Sequence, residues 1–227
     1  GVGAREVGFM AGMMKKLSNN AGSVFLGKGI AYGGSLMRPE ATGYGTVYFA
    51  QEMLRRRQMG FDGRRVSISG SGNVAQYAAV KAAELGAKVV TLSDSDGTLV
   101  CEAGMSEAML QDVMEFKNVQ RGRLKDFAGK HKLAFEAGKR PWHVPVDIAL
   151  PCATQNELDA DDAKRLIANG VGCVAEGANM PSTLEAVDCF MEAGTLYAPG
   201  KASNAGGVAT SGLEMSQNAM RLSWTHS

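Results

Sequence analysis

The segment 65–94 constrains this chain more than any other stretch. Arg65-Val66-Ser67-Ile68-Ser69 is a β-branched run that reads as a strand, and Gly70-Ser71-Gly72-Asn73-Val74-Ala75 follows it at once. Residues 74–85 then form an Ala-rich helix closed by Gly86, and residues 88–93 form a second strand. Gly70 permits the tight turn out of the first strand, and Gly72 lets the backbone approach an anion with no Cβ in the way. Ala75 is small enough for the helix to lie close against the strand. The N–H groups at the start of such a helix are unpaired, and with the helix dipole they favour phosphate. Strand, loop, helix, second strand and a following acid, Asp94, together predict a β-loop-α-β unit that holds a dinucleotide pyrophosphate.

The rest of the chain alternates in the same way. Residues 5–17 carry Val7, Phe9, Met10, Met13, Met14 and Leu17 at helical spacing, an apolar face suited to core or subunit packing. Residues 27–37 are Gly-rich and aperiodic, hence a connector. Arg38-Pro39-Glu40 opens a helix running to about Met59, with Pro in the first turn where its missing N–H costs nothing. Helices are expected at 106–116, capped by Ser106, and at 121–131, 160–168, 182–193 and 205–221. Strands are expected at 147–150, 173–175 and 195–198, while Asp96-Gly97 reads as a simple turn pair. This order predicts an α/β fold, a Rossmann-like, doubly wound and mostly parallel sheet. Ligands of such sheets sit beyond the carboxyl ends of the strands, where the loops 70–75, 94–97, 151–156, 176–181 and 199–207 fall.

Composition narrows the function classes. Of 227 residues, 45% are hydrophobic and 21% charged, enough apolar content to bury a core. The 24 basic and 23 acidic residues nearly cancel and form no basic block, which gives no electrostatic case for nucleic acid or an anionic membrane as partner. No apolar run approaches the roughly 18 residues of a membrane span. Cys101, Cys152, Cys173 and Cys189 lie in or beside apolar segments without a CxxC pair, as expected of reduced thiols in a cytoplasmic protein. His131, His143 and His226 are far apart and lack partners at ligand spacing, so no metal is expected. The opening Gly1-Val2-Gly3-Ala4-Arg5-Glu6 reads like the interior of a longer protein, and the chain is expected to be a fragment.

The second strand bears on cofactor choice. Asp94 sits where a carboxylate would hold a ribose 2′-hydroxyl, which favours NAD, whereas the hydroxyl of Ser95 can donate to a 2′-phosphate, which favours NADP. Spacing alone leaves the choice open.

Several stretches taken together resemble one family. They are Gly27-Lys28-Gly29, Gly33-Gly34-Ser35, Arg38-Pro39-Glu40-Ala41-Thr42-Gly43-Tyr44-Gly45 and the phosphate loop with Gln76-Tyr77. To these are added Leu150-Pro151-Cys152-Ala153-Thr154-Gln155-Asn156-Glu157, Ala175-Glu176-Gly177-Ala178-Asn179-Met180-Pro181 and the run from Pro199 to Glu214. In unbroken order they resemble the hexameric glutamate dehydrogenases, most of all the small NADP-dependent type. The resemblance implies NADP as cofactor, NAD being the less favoured, with L-glutamate, 2-oxoglutarate and ammonia as reactants and a homo-hexamer when full length.

The resemblance also implies roles. Thr42 would hold the nicotinamide carboxamide, and Gly70, Ser71, Gly72, Asn73 and Val74 would cradle the pyrophosphate. Ala153, Thr154, Asn179 and Asn204 would line the nicotinamide and ribose side. Asp94, Ser95 and Lys117 would meet the adenosine ribose and its 2′-phosphate, with Arg121 as a neighbouring cation. Val208 and Ser211 would face the amino acid, Ser211 binding its side-chain carboxylate. Each role has a structural rival: Thr42 can pack a helix turn, Asn179 can close a turn before Pro181, Asn204 can cap a helix, and Lys117 can be a solvated charge. The resemblance divides the chain into 1–34, the tail of a substrate domain; 35–202, the dinucleotide-binding domain; and 203–227, a return helix. The family's catalytic lysine and aspartate are expected before Gly1, so the chain alone is expected to be inactive. Two alternatives stand beside this reading: an NAD-linked branched-chain or aromatic amino acid dehydrogenase, and a non-catalytic dinucleotide-binding fragment.

Overall fold

A computed structural model describes residues 2–19, 22 and 24–225. Its centre is a seven-stranded sheet in the order β4-β3-β2-β1-β5-β6-β7. The strands are β1 (Arg65–Ile68), β2 (Lys88–Asp94), β3 (Gly97–Val100), β4 (Ala134–Ala137), β5 (Ile148–Leu150), β6 (Cys173–Ala175) and β7 (Leu196–Ala198). The chain moves outward from β1 to β2, then crosses back to lay β5 on the other side of β1, both pairings being parallel. The order of strands reverses at that point, and a crevice opens between the loops leaving β1 and β5.

The helices are α1 (Ala4–Ser18), α2 (Ala41–Arg55), α3 (Asn73–Glu84), α4 (Glu107–Asn118), α5 (Leu124–His131), α6 (Ala160–Ala168), α7 (Leu184–Glu192), α8 (Gly200–Ser203) and α9 (Ala205–Ala219), and those from α2 to α7 cover both faces of the sheet. Successive strand residues serve opposite faces, as the pleat requires. Ile148 and Leu150 of β5 join the core under α2, α3 and α4, while Ala149 between them joins Trp142, Leu166 and Phe190 on the face of α6 and α7. Cys173 and Ala175 against Val174 repeat that pattern in β6. The four cysteines carry free thiols, with Cys101, Cys152 and Cys173 buried. Burial pushes the Cys173 thiol up to about 12, so it stays protonated.

Several elements depart from the expectations. The α2 helix starts at Ala41 rather than Arg38, because Met37 is left-handed and Pro39 lies in a turn whose carbonyl accepts a bond from Asn73. It ends at Arg55, and the left-handed Gln58 turns the chain before Met59. Beyond the Asp96-Gly97 turn, β3 returns antiparallel to β2 and β4 pairs with β3, two strands the sequence did not announce. Gly97 is required there at φ +150°, since a Cβ would stand 2.2 Å from the Glu136 carbonyl oxygen. The apolar residues of α1 do not enter this core. Only Gly8 of that helix is buried, and Phe9, Met13 and Leu17 are exposed.

Among the described residues no helix is long and apolar enough to cross a membrane. Nor does any group of three or more His, Cys, Asp or Glu among them stand together as a metal would need. His226 lies outside the described residues.

Candidate functional site

The phosphate loop leaves β1 at the crevice. Gly70 adopts φ +86°, and its N–H donates to Ser93 Oγ at 2.8 Å, which fastens the loop to the neighbouring β2. The α3 helix begins at Asn73, so its first N–H groups have no intrahelical partner. A Cβ built on Gly72 meets nothing within 4 Å, so the outer face of the loop is clear for an anion to approach the backbone. The Asn73 side chain is already engaged, donating to the Pro39 carbonyl at 2.6 Å. Its contribution at this loop is therefore its backbone.

Beside this loop lies a cleft of about 700 Å³. It brings together Thr42, Val74, Ala153, Thr154, Asn179, Asn204, Val208 and Ser211, which come from α2, α3, the loop after β5, the loop after β6 and α9. Asn204 donates to Asn179 Oδ1 at 2.8 Å, so the two asparagines form one polar bridge across the cleft wall. Asn204 stands at the N-cap position of α9, yet its side chain does not cap that helix. Val208 projects outward on α9, while Ser211 one turn on is buried.

Sequence reading missed two cations. Arg38 lines the cleft, and its Nε donates to Ser211 Oγ at 2.8 Å. The pair is separated by 173 residues, so no local pattern could announce it. Arg123 stands beyond the other end of the phosphate loop, donating to Ser95 Oγ at 2.9 Å, with its Nε 3.8 Å from Asp96. It belongs to the turn before α5, which the sequence reading had placed inside a helix from Arg121; Arg121 is in fact left-handed, outside that helix.

Asp94 and Lys117 meet in the same place, at 3.6 Å. Lys117 also donates to the Gly122 carbonyl. Both oxygens of Asp94 are occupied: Oδ1 accepts from Asp96 N at 3.0 Å and Oδ2 from Leu124 N at 2.9 Å. The site is therefore a continuous band, from the Ser95 cluster past the phosphate loop to the cleft with Ser211. Of its candidate residues Gly70 to Asn73 form the loop beside the cleft, and Asp94 and Ser95 at the end of β2, with Lys117 of α4 against Asp94, lie farther from it.

No carboxylate, lysine or histidine lines the cleft among the described residues. Its one thiol, Cys152, is buried and pushed up by that burial, and so is unsuited to proton transfer. The cleft can bind, orient and exclude water, but it holds no acid or base near neutrality.

A mostly parallel sheet with a glycine loop at its switch point, flanked by a polar cleft, defines the class of dinucleotide-binding α/β domains. The family model for Glutamate/Leucine/Phenylalanine/Valine dehydrogenase matches residues 33–227, and the chain belongs to that family. It is 65% identical over 224 residues to the NADP-specific glutamate dehydrogenase of Escherichia coli K12, covering 99% of this chain and 50% of that protein. Against the NADP-specific enzyme of Haemophilus influenzae it is 60% identical, with 99% and 50% covered. The crystal structure of Plasmodium falciparum glutamate dehydrogenase superposes with a TM-score of 0.94 at 44% identity, covering 99% of this chain and 48% of that one. The chain spans about half the length of the curated relatives it matches.

Proposed function

We propose that this chain is the cofactor-binding part of an NADP-dependent glutamate dehydrogenase, which interconverts L-glutamate and 2-oxoglutarate plus ammonia. The observation that carries the cofactor choice is the set of bonds around Asp94. With its side chain only 8% exposed and a backbone N–H on each carboxylate oxygen, Asp94 presents little free acceptor surface to a ribose 2′-hydroxyl. Ser95, Arg123 and Lys117 beside it present a hydroxyl and two cations, the donors a 2′-phosphate needs. Asp94 in turn holds Lys117 at the edge of that group.

When bound, the nicotinamide supplies the hydride chemistry. The chain's residues do the rest: the backbone of Gly70 to Val74 receives the pyrophosphate, and Thr42, Ala153, Thr154, Asn179 and Asn204 orient the nicotinamide end. Arg38 and Ser211 offer a charge and a hydroxyl to the substrate's side-chain carboxylate, with Val208 as the apolar wall. That polar pair disfavours a branched-chain or aromatic substrate, which needs an apolar surface at the same place. Proton transfer is assigned to the part of the enzyme that resembles the other half of the relatives' length. On this reading residues 1–34 and 203–227 belong with the substrate domain, residues 35–202 form the cofactor domain, and the whole enzyme is a cytoplasmic hexamer serving nitrogen assimilation.

Calorimetry on the 227-residue chain tests the reading. NADPH is expected to bind about tenfold or more tightly than NADH, a difference of about 1.4 kcal/mol or greater. Equal or tighter binding of NADH overturns the cofactor choice. The chain alone is expected to give no glutamate turnover, and measured turnover overturns the division of labour.

A further inference from the structure

The loop that follows β5 forms the cleft wall at Cys152, Ala153 and Thr154, and a buried carboxylate lies behind it. Glu157 is 8% exposed. Its Oε1 accepts from Ser69 Oγ at 2.8 Å and from Ala153 N at 3.0 Å. Ser69 closes the set by accepting from Cys152 N at 2.9 Å. Two successive backbone N–H groups, 152 and 153, are thus drawn inward onto one hydroxyl and one carboxylate. The Trp142 indole N–H donates to the Glu157 carbonyl and pins the backbone from the far side.

No salt bridge to Glu157 forms among the described residues. Burial pushes its carboxyl up, and the donors from Ser69, Ala153 and Thr154 pull it back, as does the field of Arg140. An uncompensated buried carboxylate is costly, and a neutral core would be more stable. What Glu157 Oε1 offers is one acceptor with two lone pairs, on which donors from the ends of two strands converge. Ser69 follows β1 directly and Ala153 lies beyond β5, so the network bridges the switch point itself. A Cβ on Gly70 would sit 3.0 Å from the Cys152 carbonyl oxygen, so this loop also rests directly on the phosphate loop.

We propose that Glu157 is a positioning residue which, through Ser69 and the N–H groups of Cys152 and Ala153, sets the cleft wall against which the nicotinamide end of the cofactor lies. The inference rests on the NADP reading of the cleft and adds a residue that touches no ligand. In Glu157→Met the side chain keeps a similar length but loses the oxygen that Ser69 Oγ and Ala153 N share, so the loop loses its fixed place.

The test compares two ligands on the parent chain and on Glu157→Met: NADPH, and adenosine 2′,5′-bisphosphate, which has the adenosine end without the nicotinamide. Affinity for NADPH is expected to fall about tenfold or more, while affinity for the bisphosphate stays within about twofold. Ser69→Ala, which removes the bridging hydroxyl and adds no clash, is expected to give the same split and serves if the first variant does not fold. An unchanged NADPH affinity in the folded variant, or an equal loss for both ligands, overturns the inference. Failure of the parent chain to bind either ligand would overturn the cofactor reading and this inference with it.

Discussion

At the scale of single residues, the polar groups of this chain fall into those that hold loops and those left facing the cleft. Asp159 shows the first kind, capping α6 through bonds from Asp161 N and Asp162 N. Asp162 beside it is pushed up, first by burial and then by the charge of Asp159, with Arg140 pulling it back. A carboxyl raised in the fold binds its proton more tightly there than in the unfolded chain. Its contribution to stability is greatest below the ordinary value of 3.8 and is lost as pH rises through the shifted one. Asp162→Asn is therefore expected to gain stability relative to the parent as pH rises upward from about 4, read by urea denaturation at several pH values. A difference that does not change with pH would sink the assignment. Legibility at this scale followed distance along the chain. Ser71, Asn73 and Val74 sit within one motif, so their place at the loop and helix start could be read locally; the contacts of Arg38 and Arg123 could not, because their partners Ser211 and Ser95 lie 173 and 28 residues away.

At the scale of elements, the crossing of α2 over α3 positions Thr42. A Cβ on Gly43 would stand 2.6 Å from Ala78 N and 2.7 Å from the Val74 carbonyl oxygen, so the two backbones meet there with no room for a side chain. Gly43→Ala is expected to destabilise the chain by about 1–3 kcal/mol despite the better helix propensity of Ala. Gly212 in α9 is the contrast, since a Cβ there meets nothing within 4 Å. Gly212→Ala should stabilise by about 0.5–1 kcal/mol. Equal shifts in the urea midpoints of the two variants would refute the packing argument. Elements with a strong period or a cap were legible: Ser106 caps α4 by accepting from Met109 N, as its place before an amphipathic run required. The strands β3 and β4 were not, because they owe their state to antiparallel pairing, β3 with β2 and β4 with β3.

At the scale of the whole molecule, the connector before α2 is tied to the last helix. Lys28 and Glu214 form a buried ion pair at 2.8 Å, with side chains 3% and 0% exposed, and Gly27 N donates to the second carboxylate oxygen at 2.9 Å. Gln217 adds a bond to the Gly34 carbonyl, and Asn218 one to that of Gly33. Glu214→Ala leaves the Lys28 ammonium buried without its counter-charge, at an expected cost of about 3–5 kcal/mol. The double variant Lys28→Met with Glu214→Gln removes both charges but keeps an acceptor for Gly27 N, and should recover most of that loss. Equal destabilisation in the single and double variants, measured by urea denaturation, would show that the charge is not the cause.

The sequence by itself determined the β-loop-α-β unit, the alternation that follows it and the phosphate loop at its start. These depend on neighbours within a turn or a strand, where residue type and spacing act directly. Only the tertiary structure decided that Arg38 meets Ser211, that Arg123 joins Ser95, that Asp94 spends its carboxylate on backbone, and that Glu157 stands behind the cleft wall. Each of those contacts needs chain segments brought together by the sheet and its crossovers, and a buried polar group takes whichever partner that packing delivers.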